Sequence, residues 1–138
     1  MNHWLDKSEP DAFSWDQQVA NGTEPWTGVR NHQAKLHLMA MKKRDRAFFY
    51  HSQVGKEIVG IVEVVREAYP DPTAEEGPWV AVDMRAIRPL KTPVTLADMR
   101  QDPALADFGL LRLSRLSVVP VSEEHWRHIC KLGGVSAA

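Results

Sequence analysis

Aromatic rings and hydrogen-bonding side chains recur together along this chain: Trp4 with Lys7 and Ser8, Trp26 with Arg30 and Asn31, Tyr50 with His51 and Ser52, Tyr69 with Asp71. A flat apolar wall beside a few fixed donors and acceptors is what holds a planar heterocycle. The ring faces stack, and hydrogen bonds to the ring edge supply identity. A tryptophan taken alone more often packs in a core. The repeated pairing is what points to a binding site.

Groups for turnover are not arranged for it. His125 and His128 lie three apart on a predicted terminal helix, with no cysteine or acid at metal-ligand spacing, and read as a surface pair. His32 and His37 diverge on a helix. Cys130, the single cysteine, reads as a small core group rather than a reactive thiol, and it excludes an intrachain disulfide. Glu63, Glu67 and Asp83 read as rim charges on strands rather than an acid/base pair, and no glycine-rich phosphate loop appears. The expectation is a protein that binds without catalysing, using no metal and no cofactor.

Strands and short helices must position these groups. His3 to Ser8 reads as a first strand. Ser14 and Gln17 have the spacing of a capping box at the start of a short helix that Asn21-Gly22 ends. Asn31 is the N-cap of a second helix, with Ala34, Leu38 and Met41 on one stripe. Leu36 and Met39 point elsewhere, which predicts that more than one side of this helix packs. Arg44 to Ser52 and Lys56 to Glu67 read as a hairpin joined at Gln53 to Gly55. In its second strand Ile58, Val62 and Val64 share one face, Val59, Ile61 and Val65 the other, and Gly60 marks a bulge or a close backbone approach. Trp79 to Ile87 is a third strand of this run. Thr95 caps a short helix, Leu116 to Val121 closes the sheet, and Ser122 opens a final helix stopped by Gly133-Gly134. A sheet buried on both faces needs closure or a helical cover, so the expected architecture is a small mixed barrel whose helices pack at its outside or mouth.

At 138 residues, with 43% hydrophobic and 25% charged residues, the chain reads as one globular domain, 1–138. A formal net charge of -1 removes any whole-molecule argument for nucleic-acid binding. The charge is nevertheless sorted. Thr27 to Lys56 carries seven basic residues and one acid, and Glu57 to Asp83 carries seven acids against Arg66 alone. The N-terminus has no apolar signal segment and no run reaches a membrane-spanning length, so a cytoplasmic location is expected.

Five ordered blocks, WLDKSEPD (Trp4 to Asp11), PWTGVRNHQA (Pro25 to Ala34), FFYHS (Phe48 to Ser52), GIVEVVREAYPDPT (Gly60 to Thr73) and LSRLSVVPVSEEHWRHI (Leu113 to Ile129), together resemble the EVE domain family. The resemblance covers nearly the whole chain. It implies an α+β fold, a PUA-like mixed β pseudo-barrel related to the YTH domain, and a nucleic-acid-binding module that reads a modified base, either modified cytosine or methylated adenine, in DNA or RNA. Carried onto this chain, it implies a pocket of Trp26, Arg30, Asn31, His51, Ser52, Tyr69 and Asp71, with Lys7 and Ser8 nearby. Trp26 and Tyr69 would stack. Ser52, Asn31 and Asp71 would bond the base edge, and Arg30, with Lys35 and Lys42 beyond it, would meet phosphates. The alternative is a small-molecule sensor that takes a free nucleoside, nucleotide or organic anion in the same pocket.

Overall fold

A computed structural model describes residues 1–137. Six strands, β1 (His3–Ser8), β2 (Thr23–Trp26), β3 (Arg46–His51), β4 (Glu57–Pro70), β5 (Val80–Thr95) and β6 (Val118–Val121), form one sheet in the order β2-β5-β4-β3-β1-β6. Every neighbouring pair is antiparallel except β1 with β3. Helices α1 (Trp15–Asn21) and α2 (His32–Ala40) cover one face, and α3 (Leu96–Gln101), α4 (Gly109–Arg112) and α5 (Glu123–Leu132) cover the other.

Each face carries its own core, and strand alternation divides the side chains between them. In β3, Phe48 and Tyr50 join Leu5, Ile61 and Trp126 on the side of α3 to α5, while Ala47 and Phe49 join Trp4, Trp26 and Leu38 on the side of α1 and α2. Trp126 of α5 stacks on Phe48 at 4.0 Å between ring centroids. Cys130 is part of that same core. Burial pushes its thiol up to about 11, with Arg88 and Arg46 offsetting only part of the effect.

The helix starts expected from sequence are present. Ser14 and Gln17 make the reciprocal capping box, and Asn31, Thr95 and Ser122 each accept a backbone amide from the first turn they precede. Other expectations are corrected. β3 begins at Arg46 because Arg44 adopts a φ of 78° and the buried Asp45 accepts the amide of Lys42, closing a turn there. β5 runs on to Thr95, well past Ile87, and β6 begins at Val118 rather than Leu116. Leu36 and Met39 are half exposed, so α2 packs on the single stripe that includes Ala34 and Leu38. In β4 the register slips on either side of Gly60 and Ile61, which moves Ile58 and Ile61 to one core and Val62 and Val64 to the other. The extra residue at each bulge breaks the alternation on which the expected faces depended. β2 was not expected at all, since Pro25 interrupts it. It is an edge strand, where a missing amide donor is tolerated. Among the described residues no helix is long and apolar enough to cross a membrane.

Candidate functional site

A cleft of about 590 Å³ opens where β1, the turn after it and the loop from β2 into α2 meet. Trp26, Phe13 and Val29 give it apolar walls, and Lys7, Ser8, Arg30 and Asn31 are the expected polar residues that line it. The Trp26 indole is only 7% exposed. It stands edge-on to Phe49 at 5.5 Å and to the half-buried Phe13 at 6.5 Å, so it is a fixed wall rather than a mobile platform. The Asn31 Oδ1 accepts the Ala34 amide as an N-cap. The Ser8 hydroxyl donates to the Phe13 carbonyl and so ties the turn to the end of β1.

The rim is held from behind by Asp71. Its buried carboxylate accepts the Gly28 amide at 2.9 Å, the Arg30 guanidinium at 3.0 Å, and the Thr73 amide and hydroxyl at 2.8 and 2.7 Å. Burial alone would raise its pKa, but the Thr73 hydroxyl, the two amides and Arg30 outweigh burial and bring it to about 2. Asp71 therefore positions the loop that carries Gly28 and Arg30. Against an unfolded value of 3.8, the depressed pKa contributes stability that is complete above pH 3.8 and is lost as pH falls through 2. Asp71→Asn is expected to cost about 2 kcal/mol at neutral pH. Melting curves from pH 2 to 7 check this, since the difference from wild type must shrink in acid.

The remaining expected residues are placed elsewhere. Tyr69 does not line the cleft; its hydroxyl donates to the Asp83 carboxylate and the Arg66 guanidinium lies 3.7 Å over its ring. Burial and then the Asp83 bond push the phenol up to about 12. His51 Nε2 accepts the Trp15 amide at 3.0 Å, which fixes the neutral tautomer with the proton on Nδ1. Burial, only partly offset by Glu57 and Asp16, lowers its pKa in the same sense. Ser52 lines a second cleft of about 410 Å³, with Lys7 common to both. Lys35 and Lys42 line neither. His125 and His128 are not a surface pair. They are partly buried and bond different acids, Asp107 at 3.1 Å and Asp102 at 2.6 Å. Among the described residues no three of His, Cys, Asp and Glu gather as a metal set.

Phe13 is not among the pocket residues that the motif blocks imply. It immediately precedes the Ser14 N-cap, where an apolar residue ordinarily packs at a helix entrance, and that position could have drawn attention to it. Trp79, the first residue of the third strand expected from sequence, packs tilted against His32 at 4.8 Å between ring centroids, beside Arg30.

The EVE domain model matches residues 2–132, which is most of the chain. The chain belongs to the EVE domain family. Mouse thymocyte nuclear protein 1 is 34% identical over 165 aligned positions, covering 95% of this chain and 73% of that protein. Among solved structures, the NMR structure of Rpa0253 from Rhodopseudomonas palustris is 61% identical with a TM-score of 0.92, covering 97% of this EVE domain and 94% of that chain. Human THYN1, solved in complex with DNA containing 5-methylcytosine, is 31% identical with a TM-score of 0.89 and 99% coverage of both chains. The YTH domain of Zygosaccharomyces rouxii MRB1 shares the fold at 15% identity and a TM-score of 0.62, covering 96% and 86%. The six-stranded mixed sheet is thus the PUA-like fold that the motif blocks implied.

Proposed function

We propose that this EVE domain binds DNA carrying a modified base and admits one unpaired modified cytosine into the Trp26 cleft. The observation that carries the reading is the convergence of Trp26 and Phe13 with Lys7, Ser8, Arg30 and Asn31 around a single opening. Its volume of about 590 Å³ lies in the usual range for ligand sites. The human relative solved with 5-methylcytosine DNA supports the choice of partner.

In this reading Trp26 and Phe13 bound the ring, Asn31 Nδ2 donates to the base edge, and the Ser8 oxygen accepts from it. Extruding a base costs a few kcal/mol, so unpaired or mismatched sites bind best. A single methyl buried on an aromatic wall contributes about 0.8 kcal/mol, roughly fourfold in affinity. Fluorescence anisotropy with two oligonucleotides that differ only in that methyl measures the preference. Phe13→Ala and Trp26→Leu, each verified as folded by its melting curve, are expected to weaken binding about tenfold through lost stacking. Equal affinity for both oligonucleotides, unmoved by either substitution, refutes the reading. A preference confined to methylated adenine in RNA refutes the choice of base and polymer.

A further inference from the structure

We infer that the second cleft, lined by Lys7, Lys56, Arg100 and Arg115, is a phosphate track that carries the strand flanking the captured base. This rests on the reading of the Trp26 cleft as the base site. The two clefts adjoin, for Lys7, Glu9 and Ser117 line both. A strand whose base enters beside Trp26 can therefore continue across β1 without leaving the surface.

The charge of this cleft departs from that of the molecule. The chain has a formal net charge of -1, yet here four cations face one acid, Glu9. The cations come from four separate segments: β1, the β3–β4 connection, α3 and the loop before β6. Lys7 is held in place, its Nζ donating to the Ser114 carbonyl at 2.7 Å. Lys56, Arg100 and Arg115 take part in no ion pair among the described residues. Tyr50 and Ser52 line the same cleft, and Arg100 is near enough to the Tyr50 phenol to offset part of the effect of its burial. Cations interleaved with hydroxyl-bearing residues are the groups that bind phosphate oxygens without reading sequence.

The opposite side is poorly suited. Arg30 is tied to Asp71 and Thr73, and Lys35 and Lys42 line no cleft with the base site. In this inference the phosphate contacts expected of Arg30, Lys35 and Lys42 belong instead to the second cleft.

The experiment measures affinity of the full chain against salt, using a twelve-nucleotide DNA strand with one central 5-methylcytosine and its unmethylated twin. For single strands each phosphate contact contributes about 0.7 to the slope of log K against log salt. Lys56→Gln, Arg100→Gln and Arg115→Gln are each expected to lower the slope by about that amount, and the triple variant by about two. The preference for the methylated strand should stay unchanged, as should the melting temperature. Lys35→Gln with Lys42→Gln should leave the slope as in wild type. An unaltered slope in the folded triple variant, a slope carried by Lys35 and Lys42, or absence of oligonucleotide binding each overturns the track. A slope that falls as expected while both strands bind equally upholds the track and removes the base reading, so the two failures are distinguishable.

Discussion

Gly60→Ala is expected to destabilise the protein by about 3 kcal/mol or more, the upper end of what overpacking costs, and to lower its melting temperature by roughly 10 °C. A Cβ on Gly60 would lie 2.5 to 2.6 Å from the Cη2, Cζ2 and Cζ3 atoms of Trp15. Those are ring atoms, and the ring has no easy way out. Trp15 is buried, stands edge-on to Phe49 at 5.4 Å, and has its backbone amide bound to His51. Relief requires either moving α1 away from the sheet or opening the β4 ladder at a point where its register already shifts. Thermal unfolding measures the loss, and a double variant identifies its cause. Combining Gly60→Ala with Trp15→Leu should recover at least 1 kcal/mol relative to the sum of the single changes, because the two residues share one contact. A loss under 0.5 kcal/mol for Gly60→Ala, or strict additivity in the double variant, shows that the close approach does not hold the helix to the sheet.

The glycine also shows how far sequence reasoning reaches. A glycine inside a strand of β-branched residues signals a bulge or a close approach, and at Gly60 both occur. That the bulge transfers Ile58 and Ile61 to one core and Val62 and Val64 to the other is not legible, because periodicity presumes an unbroken register. Helix starts were legible for the opposite reason. A cap is a local arrangement of side chain and amide, complete within four residues at Ser14, Asn31, Thr95 and Ser122.

The candidate site divides along the same line. Lys7, Ser8, Trp26, Arg30 and Asn31 line one cleft because the end of β1 and the loop after β2 come together there, although three strands separate β1 from β2 in the sheet. The resemblance puts His51 and Ser52 in one pocket, next to Tyr50 at the same strand end. Alternation sends them apart: Tyr50 and Ser52 line the second cleft, while His51 lies on the Phe49 side and binds the start of α1. Asp71 has a carboxylate suited to a base edge, but its position 43 residues beyond Gly28 gives no hint that it closes that loop from behind. Adjacency in sequence names the chemistry, and only the face of the strand decides which cavity receives it.

Asp6→Asn is expected to stabilise the protein at pH 8, since an unpaired buried carboxyl must either carry a charge or hold a proton that the unfolded chain releases, and an amide does neither. Asp6 is fully buried, and neither carboxylate oxygen has a hydrogen-bond partner. Its neighbours across the sheet are Phe49 of β3 and Val118 of β6, neither of which offers a polar side chain. Burial alone raises its pKa well above 3.8, so the folded state keeps a proton that the unfolded chain releases. Between the two pKa values the folded form binds more protons, and stability therefore falls as pH rises from 3.8 to the folded value and stays low beyond it. The near-isosteric amide removes the part of that penalty that grows with pH, with little change in volume. Melting curves from pH 3 to 8 should show the variant and wild type converging near pH 3 and separating steadily above pH 4. Parallel curves, or a variant less stable at pH 8, would mean that the carboxylate is charged and paired in the folded protein. Asp71 acts in the opposite sense, contributing stability as pH rises from about 2 to 3.8. The two aspartates thus act at opposite ends of the acid range, and replacing Asp6 alone should remove its share of the fall in stability above pH 4 while leaving the share of Asp71 untouched.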